Sequence, residues 1–86
     1  MNSELIKEKI LGLLPEALVE IKDLTGTQNH WEVSIISSQF EGLPRIQRHK
    51  LILDLFSDEL KTGIIHALSL KLSAPSEARK SMVPNN

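Results

Sequence analysis

Eighty-six residues with a 41% hydrophobic fraction are enough for one small packed domain and exclude general disorder. A formal net charge of −1 excludes a global positive field that would draw the chain to nucleic acid or anionic lipid. The absence of Cys excludes disulfides, thiolate chemistry and any metal site that the chain could close alone with sulfur, and it suits a reducing compartment.

With one Trp, two Phe and no Tyr, the core must be built from Leu, Ile and Val. The first ten residues mix Glu4, Lys7, Glu8 and Lys9 with apolar side chains, a pattern that fits neither a secretory signal nor a membrane span. The apolar cluster from Leu51 to Phe56 is interrupted by Asp54 and is too short to cross a bilayer. A cytoplasmic protein without membrane contact is the expectation.

Ser3 is a candidate N-cap for a first helix in which Leu5, Ile6, Ile10, Leu13 and Leu14 share a face. Pro15 ends it near Leu14, because its ring disfavours helical geometry in the preceding residue. From Ala17 to Asp23, Val19 and Ile21 alternate with Glu20 and Lys22, which predicts a half-buried strand. Thr25 to His30 reads as a polar, mobile loop. A second strand follows with Trp31, Val33 and Ile35 on one face, so the two strands should form an antiparallel hairpin.

Gly42-Leu43-Pro44 opens the next helix, in which Ile46, Leu51, Leu53 and Leu55 are the apolar positions. Ser57 is the expected cap of a further short helix, with Asp58 and Glu59 at its positive end and Gly63 closing it. Ile64, His66, Leu68, Leu70 and Leu72 then alternate with Ile65, Ala67, Ser69, Lys71 and Ser73, the clearest period-2 run in the chain. Pro75 to Ala78 could add a helical turn, and residues 81–86 are expected to form a loose tail after a single domain over residues 1–80. The order is helix, strand, strand, helix, short helix, strand. It predicts an α+β domain with helices on one face of a three-stranded sheet.

Two groups of residues could carry chemistry. His30 and His66 lie 36 positions apart, which is no metal motif on spacing alone, although neutral imidazole is a good ligand for borderline metals. The plain alternative is a solvated loop residue and a strand-end residue with a structural hydrogen bond, and spacing does not decide between them. Alternation places His66 on the same side as Leu68 and Leu70. Arg45, Arg48, His49 and Lys50 cluster at the start of the middle helix, where they could meet a phosphate or simply form a solvated face with ion pairs to acids such as Glu41. His49 could instead satisfy a backbone group. Trp31 is expected to be a core anchor. Enzyme signatures are missing: there is no Cys nucleophile, His-Glu-x-x-His, phosphate-cradling glycine loop or Ser elbow.

Val33 to Ser37 running into Phe40-Glu41-Gly42, then Arg45 to Lys50, His66-Ala67-Leu68 and Ala74-Pro75 together resemble the BolA family. The resemblance covers nearly the whole chain. It implies a class II KH-like α-β-β-α-α-β fold, in agreement with the order read from periodicity. It also implies partnership, as a non-catalytic adaptor, with a monothiol glutaredoxin carrying a Cys-Gly-Phe-Ser active site. In such a heterodimer a [2Fe–2S] cluster is held by the glutaredoxin Cys, by glutathione supplied with the partner, and by two side chains of the BolA-like chain. Here those would be His66 and, from the loop, His30, in a chain of the His-type group. The implied role is iron–sulfur cluster assembly, transfer or iron and redox regulation.

A mixed imidazole and thiolate shell should raise the cluster potential and make ligation sensitive to pH, since imidazole must be unprotonated to bind. The alternative reading is a KH-like transcriptional regulator that binds nucleic acid through Arg45, Arg48, His49 and Lys50. Against it, Glu41-Gly42-Leu43-Pro44 departs from the Gly-x-x-Gly clamp of KH domains. When free, the chain is either a monomer or a weak homodimer.

Overall fold

The computed structural model describes residues 1–82. Its elements run α1 (Ser3–Leu13), β1 (Leu18–Asp23), β2 (His30–Ile36), a 3-10 turn (Ser38–Phe40), α2 (Arg45–Leu55), α3 (Ser57–Thr62), β3 (Ala67–Ser73) and α4 (Pro75–Met82). This is the expected α+β order, with the turn after Pro75 extended into an eight-residue helix. Ser81 and Met82, expected in a tail, belong to α4; the remainder of that tail lies outside the described residues. No helix among the described residues is long and apolar enough to cross a membrane.

The sheet is mixed, in the order β1-β2-β3: β1 and β2 are antiparallel, β2 and β3 parallel. A tight turn can join the first pair, but the parallel pair needs a long crossover, which α2 and α3 supply. Alternation sorts the faces. Trp31, Val33, Ile35 and Leu72 are buried, with Val19, Ile21, Leu68 and Leu70 packed beside them. The opposite face carries Glu20, Lys22, Glu32, Ser34, Ser69 and Lys71, where Glu32 bridges Lys22 at 3.9 Å and Lys71 at 3.5 Å. Ile6, Ile10 and Leu14 of the first helix and its cap join Ile52, Phe56, Phe40, Ile65 and Ala74 over the apolar face.

Several local expectations are corrected. In α1 the buried positions are Ile6, Ile10 and Leu14, spaced by four, whereas Leu5 is 50% exposed and Leu13 lies at the rim. Its cap is Asn2, whose Oδ1 accepts the Leu5 N–H at 2.9 Å, and Ser3 is already helical. The buried positions of α2 are Arg48 and Ile52, while Ile46 is 79% exposed. Ser57 makes no cap; the chain passes from α2 into α3 through Phe56, whose carbonyl accepts the Leu60 N–H. Gly63 does close α3 in the left-handed region, at φ 85°. The third strand begins at Ala67, so the alternation cannot be extended backwards: Ile65 is buried and Ile64 exposed.

Arg48 explains the altered face of α2. Its Nε donates to the Leu43 carbonyl at 2.7 Å and its Nη1 to the Leu72 carbonyl at 3.4 Å. Nη1 and Nη2 also grip the Glu77 carboxylate at 2.6 and 2.8 Å, and the guanidinium lies over the Phe40 ring. One side chain thus joins α2, β3, α4 and the 3-10 turn. A planar fork of donors suits this task in a way that a Lys ammonium does not. Replacing Arg48 by Met keeps the length but leaves both carbonyls without their charged donor, so Arg48→Met should lower the unfolding free energy by about 2–4 kcal/mol. Urea denaturation tests this, and a loss no larger than that of an ordinary surface substitution would refute the role.

Acid should act on the same joint. The Arg48 hydrogen bonds, aided by the Ala74 N–H, hold the Glu77 carboxyl down to about 2 from an ordinary 4.5. The Ser37 hydroxyl lowers Glu16, and Lys9 lowers Glu59. A carboxyl depressed by folding stabilises the fold above its unfolded value, and that contribution disappears as the pH falls to its folded value. For Glu77 the window therefore runs from 4.5 down to about 2. Glu77→Gln should make unfolding free energy fall less steeply with acid across this window, without abolishing the slope that Glu16 and Glu59 add. Equal slopes in the two proteins would count against the assignment.

Candidate metal site

Parallel pairing sets β2 and β3 side by side with both N-terminal ends together, and its register places His30 opposite Ala67. His66 precedes Ala67, so two residues distant in sequence meet at one end of the sheet. Their ring centres are 5.7 Å apart and the rings stand nearly perpendicular, at 81°. His30, expected in the loop, is the first residue of β2 and is half-buried. His66, expected on the Leu68 side at the rim of the apolar face, lies just outside β3 and is exposed.

Backbone contacts fix where His66 stands. Its own N–H donates to the Asn29 carbonyl at 2.7 Å, and the Ala67 N–H donates to the same oxygen at 3.2 Å. Before it, buried Ile65 is anchored through its N–H to the Glu59 carbonyl. A Cβ on Gly63 would lie 3.9 Å from Cδ2 and Nε2 of the His66 ring, so the left-handed turn that ends α3 also passes beneath the imidazole.

The loop before His30, expected to be mobile, is stitched to Asp23. The Asp23 carboxylate accepts the N–H groups of Gly26 at 3.0 Å and Gln28 at 3.1 Å, with that of Thr25 at 3.4 Å. Gln28 adopts a left-handed φ of 61° and offers its carbonyl to the Trp31 indole N–H at 3.1 Å. Trp31 is therefore a core anchor, as expected, and also a tether for the loop. Asn29 touches both imidazoles: Oδ1 lies 2.7 Å from Nδ1 of His30 and Nδ2 lies 3.5 Å from Nδ1 of His66. Sequence reading missed Asn29, Asp23 and Thr27; nothing in a polar loop marks which of its amides and hydroxyls will be used.

The basic cluster divides. Arg48 is buried and committed to Leu43, Leu72 and Glu77, so it offers no charge to a partner. His49 donates from Nδ1 to the Arg45 carbonyl at 2.9 Å, the backbone role that was its alternative. Arg45 and Lys50 remain exposed, and Arg45 lies within the field of the Glu77 carboxylate. No phosphate-facing array of four basic side chains results.

The donor set can be tested against a metal. Two imidazoles bound to one tetrahedral metal at about 2.0–2.1 Å hold their ring centres roughly 5 Å apart. The observed 5.7 Å between ring centres is of the same order. Among the described residues, no three His, Cys, Asp or Glu side chains group to hold a metal ion, so the pair would give at most two ligands of a possible four. The imidazoles are also apart from the groove of about 370 Å³ between α1 and β1, whose lining includes Lys7, Val19 and Ile21. Such a donor pair fits a metal centre completed by another molecule.

Comparison with known proteins agrees with this architecture. Residues 16–77 match the family model described as BolA-like protein. BolA-like protein 1 of Mus musculus is 38% identical over 83 residues, covering 88% of this chain and 60% of that protein, so the chain spans under two thirds of that relative's length. The solved structure of BolA1 from Arabidopsis thaliana superimposes with a TM-score of 0.81 at 34% identity, covering 90% of this chain and 96% of that one. The BolA domain of SufE1 from the same plant gives 0.78 at 34% identity, covering 90% and 98%. On its residues, its topology and these matches, the chain belongs to the BolA-like protein family.

Proposed function

We propose that this chain is a non-catalytic adaptor that shares a glutathione-ligated [2Fe–2S] cluster with a monothiol glutaredoxin of the Cys-Gly-Phe-Ser type. The observation that carries the reading is the convergence of His30 and His66, edge to face at 5.7 Å, on a rim where no third His, Asp or Glu among the described residues joins them. A site that held its metal alone would need more donors. A site that completes a partner's cluster needs few, exposed and correctly spaced ones. Imidazole can replace thiolate on one iron of such a cluster, and in a chain without Cys the remaining sulfur must come from the partner and glutathione. When bound, the cluster would supply the redox or transfer chemistry; the chain's part is to present two neutral imidazoles. Iron–sulfur assembly or transfer, or iron and redox regulation, in the cytoplasm belongs to the same proposal.

Nucleic-acid binding has less support, because the guanidinium at the centre of its basic cluster is buried in the fold. Anaerobic reconstitution of the chain with a monothiol glutaredoxin, glutathione, iron and sulfide provides the test, read by visible absorption and circular dichroism. Wild type should give a heterodimer spectrum distinct from that of the glutaredoxin homodimer, and both His66→Ala and His30→Ala should change it. If the glutaredoxin spectrum is unaltered whichever variant is added, the reading is wrong.

A further inference from the structure

We propose that Asn29 is the positioning residue of the imidazole pair: its side-chain oxygen holds His30 in the Nδ1–H form, leaving Nε2 as the donor, while its backbone oxygen anchors His66. This deepens the proposed function and rests on His30 and His66 being ligands. Which ring nitrogen of a neutral His carries the proton is set by the hydrogen bond made by the other one. Outer groups that orient ligand imidazoles are correspondingly part of a metal site.

The geometry assigns the proton. The group nearest Nδ1 of His30 is Oδ1 of Asn29, at 2.7 Å, and the same Oδ1 receives the Thr27 hydroxyl in a short contact. Contacts this close fit an oxygen acceptor better than an amide nitrogen, whose hydrogen bonds are longer. An amide oxygen can only accept, so His30 donates from Nδ1 and Thr27 donates its single proton. Thr27 must then accept from Thr25, whose hydroxyl lies beside it. A directed chain runs from Thr25 through Thr27 to Asn29, where it meets the His30 N–H. Turning the amide over would reverse both contacts into N–H donations to Nδ1 of His30 and to the Thr27 hydroxyl, which their short lengths disfavour.

The backbone half of the role is independent. One carbonyl receives the N–H groups of His66 and Ala67, at 2.7 and 3.2 Å, and so fixes where the second ligand leaves the turn and enters β3. Asn29 is thus coupled to His30 by its side-chain oxygen and to His66 chiefly by its main chain, beside a longer side-chain contact from Nδ2 to Nδ1 of His66 at 3.5 Å. Substitution removes the side-chain contacts and leaves the backbone coupling in place, and the His30 tautomer reads the side-chain oxygen separately.

The test uses the whole free chain, labelled with ¹⁵N, and long-range proton–nitrogen correlation spectra of its His rings at a pH where they are neutral. Wild-type His30 should show a protonated Nδ1 and an unprotonated Nε2. Asn29→Asp keeps an oxygen acceptor and should retain that pattern. Asn29→Leu should move His30 toward the Nε2–H form. In the reconstituted heterodimer, Asn29→Leu should lose cluster about 10–100-fold faster than wild type, with Asn29→Asp close to wild type. A wild-type His30 protonated at Nε2, an Asn29→Leu variant that keeps Nδ1–H, or equal cluster lifetimes in all three would overturn the proposal. The wild-type tautomer is read without any substitution, so the outcome is decidable even if Asn29→Leu does not fold. If wild type binds no cluster, the adaptor reading fails on its own, while the ring spectra still judge Asn29.

Discussion

Parallel pairing of β2 with β3 is the constraint on which the candidate site depends. Antiparallel strands bring the start of one against the end of the other, whereas parallel strands bring their starts together. His30 opens β2 and His66 immediately precedes β3, so only the parallel arrangement lets them meet. Sliding the register by two residues would carry one strand about 7 Å past the other and separate the rings. The crossover through α2 and α3 is therefore part of the site, although neither helix supplies a ligand.

The crossover is itself secured by a buried charge. Arg48 ties α2 to the carbonyl before it, to the end of β3 and to α4, and Glu77 answers its charge. At the other end of the domain Lys9 of α1 meets Glu59 of α3 at 2.7 Å and lies over the Phe56 ring. Glu16, between α1 and β1, accepts from the Ser37 and Ser38 hydroxyls and from the Ser38 N–H, joining that connection to the end of β2. A core of Ile, Leu and Val with few aromatic rings supplies the bulk of the burial but little direction. These polar joints fix how the elements are oriented on it.

What the sequence reveals and conceals follows from this division. The strands were legible because alternation is a local property: Trp31, Val33 and Ile35 had to share a face, and so did Leu68, Leu70 and Leu72. The order of elements followed, and with it the fold class. The inward face of α2 was not legible, since binary patterning assigns Arg to solvent and Ile46 to the core; a guanidinium satisfied by two carbonyls and a carboxylate reverses both. Ser3 and Ser57 looked like caps because the residue type is right, but a cap also depends on the backbone before it, and Asn2 held that place in α1. The meeting of His30 and His66 was concealed most deeply. It depends on a register between strands separated by two helices, which no local period records. The family resemblance pointed to both histidines, and the geometry supplies the reason that they stand together.

Backbone strain gathers around the same spot. Gln28 is the single non-glycine residue with positive φ among the described residues, and it directly precedes Asn29. Gly63, also left-handed, passes beneath His66. A left-handed residue other than glycine costs of order 1–2 kcal/mol and persists only where its surroundings hold it. Here Asp23 takes the Gln28 N–H and Trp31 takes its carbonyl, so the constraint is transmitted from the hairpin and the core to the residue between the imidazoles. Under the proposed function, two side chains that meet a metal completed by another molecule gain from being placed before that molecule arrives, since ordering them at the moment of contact would weaken the association. The tethered loop, the shared Asn29 carbonyl and the parallel register all act in that direction, each through different atoms.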